Sequence, residues 1–322
     1  MARPQEADPL TALRDMAADI ALSEEQIEEA VADAVVETYR RLVDEEADVR
    51  ASVDLAHGTW QLYRVEEGVE VPASVDVPEF PRQAAAAVRA AVAGRVEEAS
   101  RRRVLEAAAA RHGQLADAIP QRQAGESWYV DAGGVPGLLP PEEQMPGDRL
   151  ERGRHVKVVI LEGRRRVHDA VLVVSRSHPL LVQRLLEQEV PELQHGQVVI
   201  RGIAREAGRR TKVAVEAAVG DIDPQGACIG PRGVRQRAVT SELADEQVQI
   251  VAWSPDPAIY VGNALIPARV DGVALDEAAR TAHVTVPAEQ LSLAIGRAGE
   301  NARLAARLTG WRIDIAAPAS TA

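Results

Sequence analysis

Two short stretches, Ile229-Gly230-Pro231-Arg232-Gly233 and, 66 residues later, Ile295-Gly296-Arg297-Ala298-Gly299, decide how this chain is read. Each is a Gly-x-x-Gly with a helix-compatible apolar run before it and a helix-compatible, Arg-bearing run after it. The spacing alone says little. With 23 glycines in 322 residues, chance supplies roughly one or two such spacings. Gly134-Val135-Pro136-Gly137 has the same spacing inside a Gly/Pro loop with no flanking helices. What carries weight is the repetition of the flanks.

Outward from each loop the same order of elements appears. In the first unit the pattern predicts a helix over 179–189, strands over 198–203 and 212–217, a short helix ending at Ile229, a helix over 234–243 and a strand over 248–253. In the second it predicts a helix over 258–265, extended segments over 268–274 and 282–286, a helix over 288–295, a helix over 302–308 and a strand over 311–315. A glycine pair between two helices allows a tight turn that a nucleic-acid backbone can approach closely, and the following helix offers unpaired N–H groups and the positive end of its dipole. In KH modules such a loop clamps about four nucleotides. The alternative reading, a tight turn that merely needs two glycines, weakens when the motif occurs twice in matching contexts.

A net charge of −12 argues against nucleic-acid binding until it is divided along the chain. Residues 1–80 carry 20 acidic and 6 basic residues, a net −14, whereas residues 81–322 carry 29 and 31. The acidic end repels phosphate and suits a basic protein surface, while the rest is free to gather arginine into patches. Basic charge is almost all Arg, with Lys157 and Lys212 as the lysines. The single cysteine, Cys228, excludes an internal disulfide and a Cys-cluster zinc site and reads as a small buried hydrophobe. No apolar run approaches the roughly 20 residues that span a bilayer, and the N-terminus lacks signal-peptide character, so a cytoplasmic protein away from membranes is expected.

Upstream, residues 1–9 read as frayed. Ser23-Glu24-Glu25-Gln26 is a capping box, and Ile27, Val31, Val35, Tyr39 and Leu42 continue at helical spacing, predicting an amphipathic helix over 23–46 with an acidic outer face. Val53, Leu55, Trp60 and Leu62 alternate about His57-Gly58 as a hairpin, and Val69 to Val77, interrupted by Pro72, reads as an edge or loop. A second long helix starts at Pro81. Its Arg101-Arg102-Arg103 is better explained as a solvated face than as a phosphate contact. Five short extended segments follow, near 115–119, 127–131, 137–139, 155–161 and 170–174. That number in so few residues suggests a small closed barrel of the OB type. Trp128 and Tyr129 are neighbours on one strand and face opposite sides, so one is free to stack on a base and the other is expected in the core.

No catalytic constellation is visible. The histidines His112, His155, His168, His178 and His195 are scattered, Glu142-Glu143 lies in a Pro-rich loop, and no nucleophile elbow, P-loop or dinucleotide fingerprint occurs. Neither enzyme chemistry, a metal nor a cofactor is expected.

The stretch Asp223 to Leu243, the following Val251-Ala252-Trp253-Ser254-Pro255-Asp256-Pro257-Ala258, and Leu291 to Trp311 resemble the paired KH units of the NusA family of bacterial transcription factors, and Ser175-Arg176-Ser177-His178-Pro179 with Glu189-Val190-Pro191-Glu192 resembles that family's exit from its barrel. The resemblance covers nearly the whole chain and is strongest from residue 175 onward. It implies an α+β multidomain protein: an N-terminal α/β domain over 1–112 that docks on RNA polymerase, an S-one-like OB barrel over 113–178, and two tandem type II KH domains over 179–252 and 253–322. It further implies a monomer that binds nascent single-stranded RNA and modulates pausing, termination and antitermination, with other Nus factors among its partners. The family's barrel is often richer in aromatics than this one, and the acidic C-terminal repeats of some members do not appear in this sequence after Ile315. The expected RNA-contacting residues are Gly230, Pro231, Arg232, Gly233 and Arg235 at the first loop, Gly296, Arg297, Ala298, Gly299 and Arg303 at the second, and Lys212 on the strand side. A ribosome-associated or RNA-processing KH/OB protein is the competing reading.

Overall fold

In the computed structural model, which describes residues 22–167 and 169–318, the capping box at Ser23 opens helix α1 (Glu24–Leu42). The Ser23 hydroxyl accepts from the Gln26 N–H while the Gln26 side chain accepts from the Ser23 N–H, so two donors of the first turn are satisfied reciprocally. The helix stops short of residue 46 because Asp44, Glu45 and Glu46 would load negative charge on the negative end of its dipole; Asp44 pairs with Arg64 instead. The frayed start expected for residues 1–9, and His168, lie outside the described residues. Contacts divide the chain into two compact units, 1–110 with 163–171, and 111–162 with 172–322.

In the first unit the hairpin forms as expected, β1 (Val49–Asp54) pairing with β2 (Thr59–Glu66) so that Val53 faces Trp60, and β3 (Val69–Pro72) adds an exposed edge. α1 packs on α2 (Phe80–Ala110). Phe80 meets the rings of Tyr39 and Trp60 edge-on, at centroid distances of 6.2 and 5.9 Å, so the chain's single Phe sits at the centre of this small core. Outside it, Glu24, Glu25, Glu28, Glu29, Asp33 and Glu37 form an exposed acidic face on α1. Arg101 is paired along its own helix with Glu97 and Glu98.

Five strands follow, β4 (Leu115–Ala124), β5 (Ser127–Asp131), β6 (Pro136–Leu139), β7 (Val156–Arg165) and β8 (Ala170–Ser175), closed in the order β4-β5-β6-β8-β7 with β6 and β8 parallel; all but the end of β7 and the start of β8 belong to the second unit. Trp128 and Tyr129 are both half-buried, and the Arg122 guanidinium lies 3.9 Å from the Tyr129 ring centre. Neither ring is the core residue expected. Arg176 ties this barrel to the elements that follow: its guanidinium donates to the Asp148 carboxylate, to the Lys157 carbonyl and to the Glu242 carbonyl.

The first repeat runs α3 (Pro179–Glu189), α4 (Pro191–Gln194), β9 (Val198–Glu206), β10 (Arg210–Ala217), α5 (Pro224–Ile229), α6 (Val234–Glu242) and β11 (Gln247–Ala252). The second runs α7 (Pro257–Ala264), β12 (Gly272–Asp276), β13 (Thr281–Thr285), α8 (Leu291–Ile295), α9 (Glu300–Thr309) and β14 (Arg312–Ala316). Each sheet has its middle strand antiparallel to the first and parallel to the last. β12 starts later than the expected 268–274 because pairing begins where Gly272 meets Thr285, and the expected helix over 288–295 opens with a 3-10 turn, Ala288–Gln290.

The two repeats are joined through the first sheet. Its inner face carries Val213, Val215, Val248 and Ile250 against α3, α5 and α6, and its outer face, with Ala214 and Val251, packs on Tyr260, Ala264, Leu265 and Ala305 of the second repeat. β10 is therefore buried on both sides, and so is Lys212, fully enclosed. Its ammonium donates to the Gln249 amide oxygen at 2.8 Å and to the Ile266 carbonyl at 2.9 Å. This corrects the expectation of a strand-side RNA contact at Lys212: α7 and α9 cover the face on which it would have met solvent. The second sheet places Gly272, Ala274 and Asp276 where the first has Gly202, Ala204 and Glu206, but its outer face is left open, with His283 and Asp314 exposed side by side. At the corner of the first sheet, the Glu246 carboxylate is buried among Arg205, the Thr211 hydroxyl and the Gly208 N–H.

Burial, and Arg210 nearby, push the Lys212 amine down to about 7 against the opposing pull of the Glu300 carboxylate. Between there and the ordinary lysine range the unfolded chain holds a proton that the folded chain has released, so stability rises with pH across that window. Lys212→Met is expected to abolish this rise, read as a denaturant midpoint that no longer climbs from about pH 7 to about pH 10.

Candidate RNA-binding loops

Asp223 caps α5, its carboxylate accepting from the Gln225 N–H, and Pro224 occupies the first helical position, so this six-residue helix has a defined start. It ends at Gly230, whose φ and ψ of 73° and 171° belong to a region open in practice only to glycine. Arg232 follows at 53° and 25° and Gly233 at 75° and 19°, after which α6 begins. At the second loop the values are 77° and 170° for Gly296, 51° and 30° for Ala298, and 73° and 13° for Gly299. The two turns are the same conformation built from different middle residues. In each, the second glycine's N–H closes onto the first glycine's carbonyl, at 2.9 and 3.1 Å.

The residues after each loop hold it in two places. Five residues beyond the first glycine, Arg235 reaches back to the Ala227 carbonyl and Asn301 to the Leu293 carbonyl, positions again 66 apart. Seven residues beyond it, Arg237 donates to the carbonyl of Arg232 at 2.6 Å and Arg303 to that of Ala298 at 3.2 Å. The equivalent pairs are thus Arg235 with Asn301 and Arg237 with Arg303. Sequence reasoning grouped Arg235 with Arg303 and passed over Arg237, although the 66-residue offset itself marks the correspondence.

The loop residues differ in what they leave to solvent. Pro231, Arg232, Arg297 and Ala298 are exposed. Arg235 is committed to Glu192 at 2.8 Å as well as to Ala227, and Arg303 is held by both oxygens of Glu206, at 2.6 and 2.9 Å. Both were expected to touch phosphate; Arg235 places its Nη1 donors on protein acceptors, and Arg303 places one donor each from Nε, Nη1 and Nη2. Leu293 and Ile295, on the short helix before the second loop, are exposed apolar side chains, and Val234 is exposed just after the first. Cys228, beside the first loop, is fully buried and its thiol is pushed up to about 12 by burial and by Glu192, which leaves it inert. The spacing at Gly134 has a different structure: Gly134 sits in the turn between β5 and β6, its N–H bound to Asp131, and Gly137 lies within β6 against Val130. Among the described residues no group of His, Cys, Asp or Glu could hold a metal ion, and no helix is long and apolar enough to cross a membrane.

Two helix-flanked glycine turns on matching three-stranded sheets define a protein with tandem KH domains. Family models agree on both, a NusA-like first KH domain matching residues 176–253 and a NusA-like second KH domain matching 257–322. Curated relatives extend the match along the chain. The transcription termination/antitermination protein NusA of Halalkalibacterium halodurans is 37% identical over 95% of this chain and 87% of its own length. That of Bacillus subtilis is 41% identical over 85% and 74%, and that of Mycobacterium bovis 37% identical over 95% and 92%. The chain belongs to the NusA family of transcription termination/antitermination proteins.

A methyl group on Gly296 would lie 2.8 Å from the backbone nitrogen of Asn301, whereas one on Gly299 would meet nothing within 4 Å. Gly296→Ala is therefore expected to destabilise by several kcal/mol, its positive φ at extended ψ adding strain to the clash, and Gly299→Ala by only about 1 kcal/mol, the ordinary cost of a left-handed alanine. Denaturant unfolding of the two variants checks this order.

Proposed function

We propose that this chain holds nascent single-stranded RNA in its two KH loops while its acidic N-terminal part docks on RNA polymerase, and that it modulates pausing, termination and antitermination through binding alone, without a covalent step, a metal or a cofactor. The observation that carries the RNA half is the pair of turns with one backbone conformation, each presenting an exposed arginine, Arg232 in one and Arg297 in the other. Gly230 to Gly233 and Gly296 to Gly299 take the RNA backbone, with Arg232 and Arg297 as phosphate contacts and Leu293 and Ile295 offering apolar surface to bases. Arg235 and Arg303 shape the loops and are not assigned to phosphate.

The proposed domains are 1–112 for polymerase docking, 113–178 as an S-one-like OB barrel, and 179–252 and 253–322 as type II KH domains. The strand order of the barrel supports the OB assignment, and helix-before-strand order in the first repeat supports type II. Half-buried Tyr129, capped by Arg122, is the barrel's candidate stacking surface. The polymerase half rests on the exposed acids of α1, which suit a basic protein surface and repel phosphate, and on the family's role in transcription. A cytoplasmic monomer, meeting other Nus factors on the polymerase, fits this reading.

Replacing Pro231 and Arg232 with Asp, and Arg297 and Ala298 likewise, keeps the turns accessible, because Asp tolerates left-handed backbone. Each pair is expected to lower RNA affinity at least tenfold and to flatten the dependence of log K on log salt by about 0.7 per lost phosphate contact; unchanged affinity would remove the loops from the site. For the partner, purified chain used as bait is expected to enrich RNA polymerase, and loss of that enrichment on converting Glu25, Glu29 and Asp33 to Lys places contact on α1. Enrichment of ribosomal subunits without polymerase would favour the ribosome-associated alternative.

A further inference from the structure

We infer that Arg237 and Arg303 are positioning residues that set the two loops, and that Glu206, on a strand of the first KH domain, sets the second domain's loop through Arg303. The inference rests on the reading that the loops bind RNA.

Each loop depends on its third residue adopting positive φ without being glycine: Arg232 at 53° and Ala298 at 51°. Side chains resist that conformation, and it persists where surrounding structure fixes it. In both copies the fixing contact is the same, a guanidinium Nη1 donating to the carbonyl of that third residue from a position on the following helix. The second glycine's N–H returns to the first glycine's carbonyl in both, so the third residue's peptide is held from each side.

The copies differ in what stands behind the arginine. Arg303 is gripped through Nε and Nη2 by the two oxygens of Glu206, a fork-to-fork pair that leaves Nη1 aimed at Ala298. Glu206 is largely buried, its side chain 14% exposed, and also meets Arg307 at 3.5 Å. The hydrogen bonds from Arg303 hold its carboxyl below the usual carboxylate range, so it remains ionised through neutral pH. Glu206 belongs to β9 of the first KH domain and Arg303 to α9 of the second, and these two elements are packed together. The joint between the domains and the shape of the second loop thus share one side chain. Behind Arg237, by contrast, the described residues place no carboxylate within ion-pair distance. The second loop's arginine is preset by the joint, whereas Arg237 reaches the first loop with no carboxylate behind it.

The test uses the full chain with Glu206→Gln combined with Arg303→Gln, which leaves net charge unchanged, and separately Arg303→Lys, which keeps the charge and loses the fork. Glu300 still pairs with Arg209 and Arg210 across the joint, and Lys212 still reaches Ile266, so the domains stay docked. Without RNA, the amide resonances of Arg297 to Gly299 are expected to move and their hydrogen exchange to accelerate in both variants, while those of Gly230 to Gly233 stay in place and report an intact fold. With single-stranded RNA, affinity is expected to fall about three- to tenfold, as for one lost ordering hydrogen bond, at unchanged salt slope. Arg237→Gln is expected to move the first loop's amides and leave the second's alone. Second-loop amides unmoved in the double variant, or wild-type behaviour of Arg303→Lys, would overturn the inference, as would an affinity loss accompanied by a shallower salt slope, which would make Arg303 a phosphate contact. Amides that move while neither these variants nor the Asp-substituted loops lose RNA would uphold the positioning and overturn the RNA reading instead.

Discussion

β10 has no solvent face. Its own domain's helices cover one side, the next domain's α7 and α9 cover the other, and everything that distinguishes the KH pair from two separate modules follows from that double burial. Residues pointing outward from this strand have to be small, as Ala214 is, or matched by a partner, as Lys212 is by Gln249 and Ile266. A lone KH sheet would place such a lysine in water. Here the ammonium exchanges hydration for two neutral acceptors, which keeps it bonded but shifts its proton equilibrium downward.

The ionic contacts within and between these domains differ in burial. Arg205 with Glu246, and Arg176 with Asp148, are buried almost completely, and removing one member of either would strand a charge in a dry site. Pairs such as Arg209 with Glu300 lie partly in water and add less stability than orientation. Glu206 with Arg303 falls between these extremes, close enough to solvent to exchange and enclosed enough to hold one geometry.

Much of this was legible in the residues because two independent periodicities coincided. The 66-residue offset aligned the loops, and the capping box at Ser23 and the alternation about His57 announced α1 and the first hairpin. The rest was hidden by contacts distant in sequence. Nothing near Lys212 says that α9 will lie across it, since a strand with alternating Lys, Ala and Val reads equally well as half exposed. Arg235 and Arg303 looked alike as basic residues on post-loop helices; which carbonyl or carboxylate takes each of them depends on Glu192 and Glu206, 43 and 97 residues away. The barrel's paired aromatics misled for a local reason: Arg122 on the neighbouring strand lies over one side of Tyr129 and both rings stay half-buried, so strand parity alone put neither in the core.

The open outer face of the second sheet has a bearing on how many units such an array can hold. Gly272, Ala274 and Asp276 reproduce the register on which α9 sits in the first repeat, so the backbone is ready for a third helix. The neighbouring positions are not: a helix laid there would find Thr285 and Ala316 where α9 finds Ala214 and Val251, and would have to strip water from His283 and Asp314. A head-to-tail contact that does not close propagates without limit, and a histidine and an aspartate exposed on this sheet raise the cost of such growth at its first step. The outer face of the second sheet is, in chemical terms, a stopper rather than a socket.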